Sequence, residues 1–175
     1  MNKPKIVILR GKNASGKTTA FYNLRDYSFK DKNILKNWIF IDNNSIKRMF
    51  SNLDDENWKD ISKDILFYVL KKVLPLRRNV IVEETSKETL HKYLKKEIAQ
   101  NNYQIITFQF EVSLKNAIER DKERVKTKQH IGLGKEKIEE LRKIHEGSFD
   151  KESIVINTDK MNQEEVVNFI LKNIQ

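Results

Sequence analysis

The chain has 175 residues, no cysteine, three histidines and a formal net charge of +9 from 34 basic and 25 acidic residues. That length fits one domain, residues 1–175, able to bury a core without staples, and the lack of cysteine excludes disulfides and thiolate metal sites. His91, His130 and His145 stand too far apart for a local ligand set, the apolar runs reach only strand length and no signal-peptide centre follows the N-terminus, so a cytoplasmic protein with no membrane span is expected.

The first expected element is a strand over the apolar run Lys5–Leu9. It leads into Gly11-Lys12-Asn13-Ala14-Ser15-Gly16-Lys17-Thr18, a full G-x-x-x-x-G-K-S/T phosphate loop, followed by residues compatible with a helix. The glycines let the backbone wrap an anion, and successive N–H groups and the helix N-terminus face the phosphates. Lys17 then reaches the β and γ oxygens, and Thr18 offers its hydroxyl to Mg²⁺. Gly11 through Thr19 are the expected contacts to ATP.

A second strand over Trp38–Ile41 ends on Asp42, followed by the turn-like Asn43-Asn44-Ser45. A carboxylate at a strand's carboxyl end sits where ligands collect and can accept a proton from an attacking hydroxyl, the reading taken here, although Asp42 also suits a cap or turn. Arg48, after Lys47, is placed to position an anionic acceptor. Ile61, Ile65, Val69 and Val73 then recur every four residues in a helix expected over Glu56–Leu74, which Pro75 stops.

The third strand, Val80–Val82, ends on Glu83 and Glu84, and adjacent acids on a strand point to opposite faces. We read Glu83 as the acid facing the site, with Thr85 as its polar neighbour, and Glu84 as a surface acid near the next helix start. Thr85-x-x-Glu88 resembles a capping box for a helix carrying Leu90 and Leu94. A fourth strand over Ile105–Phe110 precedes a helix capped by Ser113, with Leu114, Ala117 and Ile118 inward. On it Arg120 and Arg124, at i and i+4, share one face and suit charge stabilisation on a transferring phosphoryl group; the competing account is an ordinary exposed face with Glu119, Asp121 and Glu123. Val125–Gly134 reads as a mobile flap, making residues 120–146 a lid region that ends in a charged helix bearing Arg142. A fifth strand, Ile154–Ile156, and a helix with Val166, Val167, Phe169, Ile170 and Ile174 complete the chain.

Strands alternating with helices predict an α/β fold: three layers around a parallel sheet, with ligands at the carboxyl ends of the strands. Of the basic residues 26 are lysine, many beside glutamates as in Lys135-Glu136-Lys137 with Glu139-Glu140, so the +9 charge fits either a solvated surface or a basic groove for a polyanion.

The constellation resembles the small P-loop kinases of the P-loop NTPase superfamily, and within them the zeta-toxin and polynucleotide-kinase-like group. Trp38-Ile39-Phe40-Ile41-Asp42-Asn43-Asn44-Ser45-Ile46-Lys47 is similar to the zeta-toxin segment I-D-N-D-T-F-K. Asn79-Val80-Ile81-Val82-Glu83-Glu84-Thr85 is similar to N-L-V-I-E-G-T, which puts Glu83 on a substrate-binding glutamate. Ala117-Ile118-Glu119-Arg120 is similar to T-I-E-R, whose arginine contacts ATP phosphates; the following lid arginine maps to Arg124 at a different spacing. The resemblance implies a five-stranded parallel sheet with a helical lid, ATP with Mg²⁺, and a hydroxyl acceptor touched by Asn44, Arg48, Glu83 and Thr85. It departs at Asn44, where the family carries its catalytic Asp, because an amide cannot take the proton.

These readings make the chain an ATP-dependent kinase in which Lys17, Asp42, Glu83, Arg120 and Arg124 carry the transfer. The acceptor expected is a hydroxyl on RNA, DNA or a nucleoside. The alternatives are a sugar-nucleotide kinase toxin, which implies an inhibitory antitoxin partner, and a nucleotide-binding switch with weak transfer.

Overall fold

The computed structural model describes residues 3–30, 35–50, 58–84, 90–127, 132–144 and 152–175. Strand-forming runs alternate with helical stretches along the chain. They form β1 (Lys5–Gly11), α1 (Lys17–Lys30), β2 (Ile39–Ile41), α2 (Asn43–Arg48), α3 (Trp58–Val73), β3 (Val80–Glu84), α4 (Leu90–Gln100), β4 (Gln104–Glu111), α5 (Leu114–Lys126), α6 (Lys135–Ile144), β5 (Ile154–Asn157) and α7 (Gln163–Ile174). All pairings are parallel and the strand order is β2-β3-β1-β4-β5, as the expected three-layer arrangement requires. With β1 central and the chain winding to either side of it, the loop after β1 opens at the switch point, on the carboxyl edge.

Period-two alternation splits the core between the two sheet faces. Val7, Leu9, Ile81 and Phe108 pack with Phe21 and Leu24 of α1 and with Val167 and Ile170 of α7. Ile6, Ile8, Val80 and Val82 pack on the other face with Ile46 of α2, Leu66 and Leu70 of α3, and Leu90 and Leu94 of α4. A third, small cluster of Ala14, Ala117 and Ile138 joins the phosphate loop to α5 and α6.

Three sequence readings change. The stretch after Asp42 is a helix, α2, rather than a turn; it has six residues, too few for apolar periodicity to announce it. Val125 and Lys126 close α5 instead of opening the flap, of which residues 128–131 lie outside the described residues. Leu74 leaves α3 for a 3-10 turn over Leu74–Leu76, because Pro75 cannot continue the ladder. The helix start at Glu56, the capping box Thr85–Glu88, His130 and His145 also lie outside the described residues. Among the described residues no helix is long and apolar enough to cross a membrane.

Candidate active site

The loop between β1 and α1 is shaped by backbone that only small residues permit. Gly11 has φ +155°, and a Cβ there would lie 2.5 Å from the carbonyl oxygen of Phe110 and 2.9 Å from Ser15 Oγ. Gly16 has φ +89°, and Ala14 accepts the left-handed region at φ 57°. Lys17, the first residue of α1, is buried and donates from Nζ to the Lys12 carbonyl at 3.0 Å. Burial lowers its pKa to about 8; Glu83 opposes the shift, and Arg124 and Lys47 add to it. Lys17 is therefore a cation held without full solvation, so an anion in the loop gains more from it than from a surface lysine.

Glu83 and Glu84 divide as strand geometry demands. Glu83 turns to the loop, where it accepts from Thr18 Oγ1 at 2.6 Å and from Asn44 Nδ2 at 3.0 Å. Its Oε2 is buried with no hydrogen-bond partner among the described residues. A hydroxyl and a carboxylate with an unfilled oxygen fit a hydrated Mg²⁺, which takes few protein ligands. Glu84 is not the surface acid expected from the sequence. It is buried on the opposite face and pairs with Arg10 at 2.9 Å, because the parallel register sets Arg10 beside it. Burial pushes the Glu84 carboxyl up, against the pull of Arg10 and of the Leu90 backbone N–H.

Asp42 is the N-cap of α2. Its carboxylate accepts from the backbone N–H groups of Asn44 and Ser45 at 2.9 and 3.2 Å, from Ser45 Oγ at 2.6 Å and from the Tyr22 hydroxyl. Burial acts to raise its pKa, but the hydrogen bonds from Ser45, Tyr22 and Asn44 win and hold it below the ordinary value. Thus α2 carries Asn44 to the loop, where its amide also lies 3.4 Å from Thr18 Oγ1.

Arg120 reaches back from α5 to the loop region, donating to the Thr158 hydroxyl at 2.9 Å, the Thr158 carbonyl at 2.6 Å and the Ala14 carbonyl at 3.3 Å. Arg124, one turn on, lines both cavities that flank the loop. One, of about 600 Å³, lies between α1, α5 and α7 and is walled by Asn116, Met161, Asn162 and Val166 among others. The second, of about 400 Å³, holds Lys17, Thr18, Asn44, Glu83 and Arg48 together with Tyr22, Lys47 and Trp58. Thr85 lies outside the described residues.

Sequence reasoning missed Arg10, Asp121, Tyr22 and Trp58. Asp121 is buried rather than part of an exposed face, and its carboxylate accepts from the backbone N–H groups of Leu133 and Gly134 at 3.2 and 3.0 Å, tying the start of α6 to α5. Arg10 had a readable signal, a charge inside an apolar strand run with an acid at the matching place in β3. Tyr22 and Trp58 had none, since helical aromatics usually serve the core.

A model of the family described as Zeta toxin matches residues 1–171. No curated protein matches the sequence. Among solved structures, Kti12 of Chaetomium thermophilum, in complex with ADP-AlF3, superposes with a TM-score of 0.66 at 15% identity over 97% of this chain and 99% of its own. A gluconokinase from Sinorhizobium meliloti 1021 gives 0.64 at 14% identity, covering 98% and 92%. A chain of the Pnkp1/Rnl/Hen1 RNA repair complex gives 0.62 at 19% identity, covering 87% of this chain and 48% of that one. At these identities the likeness establishes a common fold.

Proposed function

The chain belongs to the zeta toxin family, and on that premise we propose that it is an ATP-dependent kinase that moves the γ-phosphoryl group of Mg-ATP to a hydroxyl, with a small preference for a nucleic acid 5′ end or a nucleoside. The observation that carries this reading is the pair of cavities of unlike chemistry that meet at Gly16, Thr19 and Arg124, with Lys17 in the smaller one. The larger offers apolar walls and side-chain amides, suited to the nucleoside of ATP. The smaller offers Tyr22 and Trp58 beside Lys47 and Arg48, suited to a flat ring bearing a phosphate.

Phosphoryl transfer rests mainly on positioning and charge, so each residue's task follows from where it stands. Lys17 holds the β and γ oxygens against the loop. Arg124 reaches the junction between the cavities and opposes the charge of the moving group, while Arg120 joins the loop to the chain after β5. Thr18 and Glu83 would hold Mg²⁺, which neutralises phosphate charge when bound. Residues 120–146 act as the lid that excludes water. Asn44 and Arg48 orient the acceptor, a task that the sequence reading extends to Thr85.

Asn44 favours a second reading, a slow enzyme or nucleotide-binding switch. Its amide cannot take a proton, and Asp42 accepts one only by releasing one of its four donors. The test is transfer of label from γ-labelled Mg-ATP to 5′-hydroxyl RNA and DNA oligonucleotides, nucleosides and UDP-N-acetylglucosamine. Label on an oligonucleotide or nucleoside is the expected result. Label on the sugar nucleotide alone assigns the toxin-like activity, and ATP binding with no labelled acceptor supports the switch.

A further inference from the structure

At the amino edge of the sheet, α3 ends in Lys71 and Lys72, the 3-10 turn follows, and Arg77 and Arg78 come next. From Lys71 to Arg78 the chain carries four cations and no acid. Lys71, Lys72, Pro75, Leu76, Arg77 and Arg78 are all exposed. Glu97 lies 3.6 Å from Lys71; Arg77 and Arg78 have no acidic partner among the described residues. Lys71 and Lys72 complement the C-terminal dipole of α3, which accounts for their sign. The dipole does not account for two arginines beyond the helix.

Two observations mark this surface as more than a solvated one. Arg77 holds the left-handed conformation, φ 52°, at a position just past a helical turn where glycine is favoured, so an arginine there carries a backbone cost that its side chain must justify. The turn is also fixed from beneath: the buried Tyr103 hydroxyl donates to the carbonyls of Leu74 and Arg78 at 3.1 and 2.8 Å, and Arg77 N–H donates to the Leu74 carbonyl at 3.0 Å. The cations therefore stand on a rigid backbone. Beside them the exposed Tyr68 ring, with Lys72 Nζ 5.4 Å from its centre, offers a stacking face next to a positive charge.

We propose that Tyr68, Lys71, Lys72, Arg77 and Arg78 form an anchoring site for single-stranded nucleic acid, remote from the phosphate loop. The cations take backbone phosphates and Tyr68 takes a base. For the acceptor's identity this inference rests on the function proposed above. Trp58, at the opposite end of α3, lines the acceptor cavity. The sixteen residues of α3 span about 24 Å at about 1.5 Å each, so a strand seated in both places needs about seven nucleotides at a rise of about 3.4 Å.

The test is fluorescence anisotropy of labelled single-stranded oligonucleotides of 3 and 12 nucleotides, without ATP, over a salt series. The wild type is compared with a variant carrying Lys71→Gln, Lys72→Gln, Arg77→Gln and Arg78→Gln. We expect the variant to bind the 12-mer at least about tenfold more weakly at low salt, and its slope of log affinity against log salt to fall by about 2 to 3. Tyr68→Ala should cost at least about fivefold. Arg77→Gly separates binding from folding: it relieves the backbone and so keeps or raises the thermal midpoint, yet weakens the 12-mer. Phosphoryl transfer to a nucleoside should be unchanged in all three variants. Unaltered 12-mer affinity and slope in the four-site variant overturns the proposal, as does a patch-dependent interaction with anionic lipid vesicles but not with oligonucleotides. Transfer to a nucleoside with patch-independent oligonucleotide binding sinks the anchor and spares the kinase reading. Patch-dependent binding with no transfer does the reverse.

Discussion

The two ends of the parallel sheet both gather cations, and they treat them in opposite ways. At the carboxyl edge Lys17 and Arg10 are buried, each held against fixed oxygen atoms, the Lys12 carbonyl for one and Glu84 for the other. At the amino edge Lys71, Lys72, Arg77 and Arg78 stand in solvent on a rigid turn. Buried charges act at short range in a medium of low polarisability, where removing one partner is costly; exposed ones act through a field that salt screens within about 8–10 Å. Substitutions at the first edge should therefore show in chemistry and stability, and at the second in salt-dependent affinity alone.

The strongest way to break that contrast is Lys17→Ala. ATP turnover should fall by at least about 10²-fold, as when a fixed donor to developing charge is removed, and nucleotide affinity and turnover that both survive would discard the loop's role. Arg10→Met comes next. It strands Glu84 in the interior and should destabilise the protein by about 3–5 kcal/mol in denaturant unfolding, whereas Lys72→Gln at the other edge should stay within about 0.5 kcal/mol. Replacing Arg10 and Glu84 together by apolar residues should recover most of the loss, since the penalty lies in the unpaired carboxylate.

Asn44→Asp sharpens the comparison within the site itself. If the proton acceptor is what the site lacks, transfer should rise by about 10²-fold, the scale of a positioned general base; no gain would return that role to Asp42 or Glu83. Where Asn44→Asp does raise transfer, Asp42→Asn should cost about 1 kcal/mol through the weakened cap and leave the rate within about tenfold.

The most gradual effect expected is on pH. With its pKa lowered to about 8, Lys17 is charged below that pH in the free protein and neutral above it. ATP affinity should hold steady up to about pH 8 and then weaken by up to about tenfold per unit, because binding must then restore the proton. Calorimetric titration between pH 6.5 and 9.5 checks this, and a flat profile would place the lysine nearer its ordinary range.

The phosphate loop, the five strands and their alternation with helices were legible in the residues because each rests on a local rule. Gly11 and Gly16 are needed where backbone must take positive φ, and near-continuous apolar runs of strand length must be buried on both faces of a sheet. The opposition of Glu83 and Glu84 was legible for the same reason, as the pleat fixes it. What each acid meets was not. Glu84 finds Arg10 only because β3 pairs in parallel with β1 at that register, 74 residues away in the chain. Asp42 has the same composition as a cap or as a base, and only the descent of Tyr22 from α1 and the start of α2 fill its oxygen atoms. Asp121 reads as one charge on a charged helix until α6 folds back onto it. The sequence by itself determined where backbone can bend and which faces must be buried, since those depend on a residue and its near neighbours. The tertiary structure alone decided which charges are buried, paired or left facing a cavity, because that depends on what distant segments bring within hydrogen-bonding reach.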